Sequence, residues 1–67
     1  MGFNEYAAFM KKQKAANYFR LSCELTNYRS CHNLATMYKL GDGVAKDMEM
    51  YQHYKDVYDE YYAQYYV

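Results

Sequence analysis

The sequence predicts an all-α chain of three antiparallel helices joined by short links. Three observations predict it. Proline is absent, so no residue locks the backbone against a helix from within. The three glycines mark only the start and one loop, Gly41-Asp42-Gly43. Elsewhere apolar side chains recur at three- and four-residue steps, the spacing of one helical face.

The first helix is expected from about Asn4 to about Leu25. Asn4 suits an N-cap, since its side chain can accept from free backbone amides. Tyr6, Met10, Ala15, Tyr18, Phe19, Ser22 and Cys23 supply the period, and alanines with long straight side chains favour helix. Thr26-Asn27-Tyr28-Arg29-Ser30 reads as a connection. Asn27 suits a C-terminal cap, and Ser30 an N-cap for the next helix.

The second helix is expected from about Cys31 to Leu40, with Cys31, Leu34, Ala35 and Tyr38 inward. Gly41-Asp42-Gly43 ends it, because glycine takes positive φ without steric cost. Asp47 caps a third helix from about Met48 to Tyr66. Seven tyrosines fall in its sixteen positions from Tyr51: Tyr51, Tyr54, Tyr58, Tyr61, Tyr62, Tyr65 and Tyr66. At about 100° per residue they fill an arc of roughly 140°. Gln52, Asp56, Glu60 and Gln64 lie largely opposite, so the apolar face of this helix is almost all tyrosine.

Residues 14–47 resemble a Sel1-like repeat of the cysteine-containing kind. The residues that carry this are Lys14-Ala15-Ala16-Asn17-Tyr18-Phe19, Cys23-Glu24-Leu25, Cys31-His32-Asn33-Leu34-Ala35-Thr36-Met37-Tyr38 and Gly41-Asp42-Gly43-Val44-Ala45-Lys46-Asp47. The string from Met37 to Val44 is similar to the last repeat of the mitochondrial intermembrane-space assembly factors of cytochrome c oxidase that carry Sel1-like repeats. The resemblance covers about half the chain. It implies about one and a half Sel1/TPR-like helical repeats within a single domain, residues 1–67. It also implies a protein-binding role and an oxidising compartment such as the intermembrane space.

The resemblance further implies a disulfide between Cys23 and Cys31. Such a bridge would close a loop of about nine residues, worth roughly 2.5 kcal/mol by chain entropy. The alternative is two buried free thiols packing as small hydrophobes. One departure from the family stands out. Where the repeat keeps small residues, as at Ala15 and Ser22, the third helix has Tyr51 and Tyr58. That helix therefore either packs in a new way or presents its face to something else.

Composition excludes several function classes. Eight basic residues balance eight acidic ones, which argues against nucleic acid as a partner. The cluster Lys11, Lys12 and Lys14 reads as a solvated helix face. No apolar run is long enough to span a membrane, and Met1 to Glu5 lack the basic and apolar regions of a signal peptide. Cys23, Cys31, His32 and His53 lack zinc-site spacing, so no metal is expected. Cys31-His32 is only the tail of a haem-attachment motif, and no cofactor is expected. No S-x-x-K signature occurs, and Cys31 and His32, adjacent on a helix, do not face each other.

The reading is a non-enzymatic protein-interaction module. Its partner is another protein or a second copy, met by Tyr54, Tyr58, Tyr61, Tyr62 and Tyr65. Tyrosine is a poor core filler, since a buried hydroxyl needs a partner, but a good interface residue. A structural or self-assembling helical mini-protein with no ligand is the alternative. The eleven tyrosines without a tryptophan or proline fit a designed or engineered chain as well as a natural one. A haem-binding or thiol-redox protein is the third reading.

Overall fold

The computed structural model describes residues 3–65, with side chains from Glu5 to Gln64. It is all-α: α1 spans Phe3–Glu24, α2 Tyr28–Leu40 and α3 Met48–Tyr65. Asn4 is not the N-cap. The helix already runs from Phe3, as nothing around Asn4 opposes helix. Tyr66 lies outside the described residues.

The first turn is built differently from the expectation. Thr26 takes the left-handed conformation, φ 69°. Its N–H donates to the Cys23 carbonyl at 3.0 Å, and the Asn27 N–H to the Ser22 carbonyl at 3.0 Å. This pair of bonds is a Schellman motif, which satisfies the last carbonyls of α1. Asn27 then opens the next helix. Its backbone is extended, and its side chain accepts from the Ser30 N–H at 3.3 Å. So Asn27, and not Ser30, caps α2. The helix begins at Tyr28, three residues earlier than expected, and Ser30 is buried in its first turn.

A β-branched residue in the left-handed region is strained. Thr26→Gly is therefore expected to stabilise the chain by about 1 kcal/mol, a rise in Tm of about 4–8 °C. A calorimetric scan reads this directly, and a lowered Tm would show that the threonine side chain outweighs the backbone cost.

The second turn follows the sequence closely. Gly41 at φ 66° ends α2, donating its N–H to the Met37 carbonyl. The Asp47 N–H donates to the Tyr38 carbonyl at 3.0 Å. Asp47 caps α3: its Oδ1 accepts from the Glu49 and Met50 N–H groups at 3.0 and 3.1 Å. Gly43, φ 79°, lies against α1, where an added Cβ would meet the Lys12 backbone at 2.7 Å. Beside it the Lys12 ammonium pairs with the Asp42 carboxylate at 2.7 Å. Both groups are well exposed, so the pair adds little beyond orientation.

α2 is the middle of the stack. It packs on α1 and on α3, while among the described residues the backbones of α1 and α3 do not approach each other. The molecule is thin, 48 × 20 × 13 Å, with a radius of gyration of 13.0 Å. A globular chain of this length would have about 11 Å. The core is correspondingly small. Among the described residues Ala16, Cys23, Cys31, Leu34 and Ala35 are its buried hydrophobics, with Leu34 the largest. Tyr38, expected inside, is half-buried, and Tyr6 and Tyr18, which shared the helical period of α1, are exposed.

Candidate interaction surface

Two elements hold the surface. The first is the α1–α2 turn. Cys23 and Cys31 stand at bonding distance across it, S–S 2.05 Å with Cα atoms 4.7 Å apart. The Schellman turn makes this approach possible, because it reverses the chain within three residues. Both cysteines are buried.

The second is the α2–α3 seam, where the tyrosines lie. Tyr28 meets Tyr62 at 5.7 Å and Tyr58 at 5.9 Å between ring centroids. His32 meets Tyr58 at 5.2 Å, and Tyr38 stacks on Tyr54 at 5.9 Å with an interplanar angle of 5°. The Lys39 ammonium sits 5.5 Å above the Tyr51 ring. As the α2 number rises the α3 number falls, so the helices are antiparallel. These distances suit offset and edge-to-face aromatic pairs and a cation–π contact.

This arrangement answers the question raised by Tyr51 and Tyr58. Rings, in place of small residues, fill the gap between α2 and α3. Most of these tyrosines are half-buried, so they pack by the ring without losing all contact with water. No buried side-chain nitrogen or oxygen among the described residues lacks a hydrogen-bond partner.

The predicted partner-binding residues thus divide. Tyr54 and Tyr58 are half-buried against α2. Tyr61 is half-buried, and Tyr62 is 42% exposed while still touching Tyr28 and Tyr58. The side chain of Tyr65 lies outside the described residues.

Burial, and after it the neighbouring Tyr38, hold the Tyr54 phenol above its ordinary value of 10.0; Arg20 acts in the opposite direction, and Glu24 adds to the rise. The folded chain therefore keeps this proton to higher pH than the unfolded chain. Stability linked to Tyr54 is fully present below about pH 10 and is lost as pH rises through the folded value. Thermal melts followed from about pH 9 to about pH 11 should show Tyr54→Phe declining less steeply than the parent chain. Equal slopes would remove Tyr54 from the account.

The seam also encloses a cleft of about 330 Å³, lined by Ala35, Thr36 and Leu40 between Tyr51 and Tyr58, with Lys39, Lys55, His32 and Asp59 around it. Among the described residues no group of three or more His, Cys, Asp or Glu is placed to hold a metal. No described helix is long and apolar enough to cross a membrane.

One surface escaped the sequence reading. Tyr18 and Leu21 on the outer side of α1, and Leu25 just past its end, are 64%, 53% and 79% exposed. They stand at i, i+3 and i+7, whereas Ala16 and Cys23 face α2 from roughly the opposite side. α1 is therefore apolar on two sides, and its overall period is blurred. The individual signal was the spacing of these three residues.

Over 52 residues the chain is 35% identical to the cytochrome c oxidase assembly factor 7 homolog of Drosophila melanogaster. The alignment takes in 78% of this chain and 20% of the fly protein, so the chain spans about a fifth of that relative's length. No family model matches the chain, and the resemblance to a Sel1-like repeat rests on the residues quoted above. No solved structure matches it. The comparisons therefore give this chain a distant, partial likeness to an assembly factor of cytochrome c oxidase.

Proposed function

We propose that the chain is a non-enzymatic protein-interaction module that serves the assembly of a larger complex. The observation that carries this reading is the outer side of α1. A small domain with few buried hydrophobics still exposes Tyr18, Leu21 and Leu25 in one stripe. Contiguous exposed apolar surface marks a site of association more often than chance. The tyrosine edge of α3, with Tyr54, Tyr58, Tyr61, Tyr62 and Tyr65, is the second contact surface, Tyr62 being its most open described ring. Likeness to an assembly factor supports the reading. It also favours protein partners among those that build cytochrome c oxidase, and an oxidising compartment in which the Cys23–Cys31 bridge persists.

The test replaces Leu21 or Tyr62 with a photo-crosslinking amino acid in cells that assemble the oxidase. A specific adduct with an oxidase-assembly protein supports the proposal. Adducts with bulk protein alone, or none, overturn it. A companion variant, Tyr18→Ser with Leu21→Ser and Leu25→Ser, should keep its helical circular dichroism. Its collapse would mean that the stripe belongs to the chain's own fold.

A further inference from the structure

The α2–α3 seam carries a charge pattern that the neutral chain as a whole does not. The cleft of about 330 Å³ holds Lys39 on its α2 side and Lys55 on its α3 side. A shallower recess of about 400 Å³ shares His32 and Tyr58 with it and adds Arg29. Across both, three cations face one carboxylate, Asp59. Elsewhere Lys12 pairs with Asp42 and Arg20 with Glu24. Lys39 and Lys55 belong to neither, and Lys39 is held over the Tyr51 ring. Two ammonium groups, with Asp59 the one carboxylate of the lining, thus flank Ala35, Thr36 and Leu40.

We infer that this seam is a docking groove for an acidic peptide segment of a protein partner. Carboxylates of the segment pair with Lys39 and Lys55, and an apolar side chain lies on Ala35, Thr36 and Leu40 between Tyr51 and Tyr58. The inference rests on the protein-interaction reading and names the chemistry of the partner. Charge complementarity selects the occupant: a basic segment would meet Lys39 and Lys55 with like charge, and a neutral one would leave both unpaired. Length agrees as well. From Arg29 to Lys39 the α2 side runs about 15 Å, at about 1.5 Å per residue. An extended peptide covers this with about five residues.

The test is a nuclear magnetic resonance titration of the whole chain with a blocked pentapeptide of alternating glutamate and leucine. The same peptide with glutamine, and with lysine, replacing glutamate gives the comparison. Amide shifts are expected along residues 28–40 and 51–62, with binding by the glutamate peptide alone. Lys39→Glu with Lys55→Glu should weaken it at least about tenfold, and Lys39→Gln with Lys55→Gln should weaken it less. Lys11→Glu with Lys14→Glu, on α1, should leave it unchanged. Raising the salt from about 0.01 M to about 1 M should weaken it as well, since screening shortens from about 30 Å to about 3 Å. Equal binding by the glutamine or lysine peptide, unchanged binding by the Lys39/Lys55 variants, or no shift at all overturns the groove. Shifts confined to Tyr18, Leu21 and Leu25 also overturn it, and they leave the interaction module itself standing.

Discussion

Replacing Cys23 and Cys31 together with alanine is expected to cost about 2–5 kcal/mol, the usual loss when a small domain gives up its bridge. A chain of this length has a total margin of about 3–10 kcal/mol. The double variant should therefore be largely unfolded at body temperature or hold α1 only loosely. Both cysteines are buried beside Leu34 and Ala35 in a very small core, so there is little apolar area to offset the loss. Alanine is the right replacement, because serine would place a hydroxyl in a buried apolar position. Thermal melts of the parent chain with and without excess dithiol provide the matching measurement. Coincident melts in the two conditions would sink the expectation and return the pair to free thiols.

Gly43→Ala is expected to be the most damaging change outside the cysteines. Two costs add. Alanine at φ 79° is strained by about 1–2 kcal/mol. Its Cβ would also stand 2.7 Å from the Lys12 backbone carbon and oxygen, so α1 or the loop must shift. Together a loss of about 3 kcal/mol is expected. It should appear in urea titrations as a lower midpoint. Hydrogen exchange should locate the damage, with faster exchange in the first half of α1 and little change at the Tyr38–Tyr54 stack. Unchanged exchange in α1 would mean that the loop yields instead and that the contact holds nothing in place.

Much of this fold was legible from residue type and spacing. Missing proline, Gly41 and Gly43 and the Asp47 cap delimit helices wherever they occur, because they act on the local backbone. The α1–α2 turn was less legible, since threonine is among the last residues expected in the left-handed region. With Thr26 taken as ordinary, Asn27 read as an end and Ser30 as a beginning. In the structure one asparagine serves both helices: its N–H closes α1 and its side chain opens α2. The tyrosine arc on α3 was plain from the period, but its partners were not. Tyr28, His32 and Tyr38 come from another helix, and pairing them with Tyr62, Tyr58 and Tyr54 requires knowledge of the register. The cleft escaped for the same reason: Lys39 and Lys55 are sixteen residues apart in the sequence and meet only across the seam. The exposed stripe on α1 was hidden by averaging, because a helix apolar on two sides has no single face to find.

The stack in which α2 alone touches both neighbours also shapes how the chain folds. Every helix pairing joins elements adjacent in sequence, so no long loop must close before contacts form. Chains of this kind fold quickly. Each hairpin can form next to the other, and the order is set by local stability more than by topology. On the proposed reading, in which α1 offers a contact surface, that surface sits on the helix that packs least extensively on the rest of the fold.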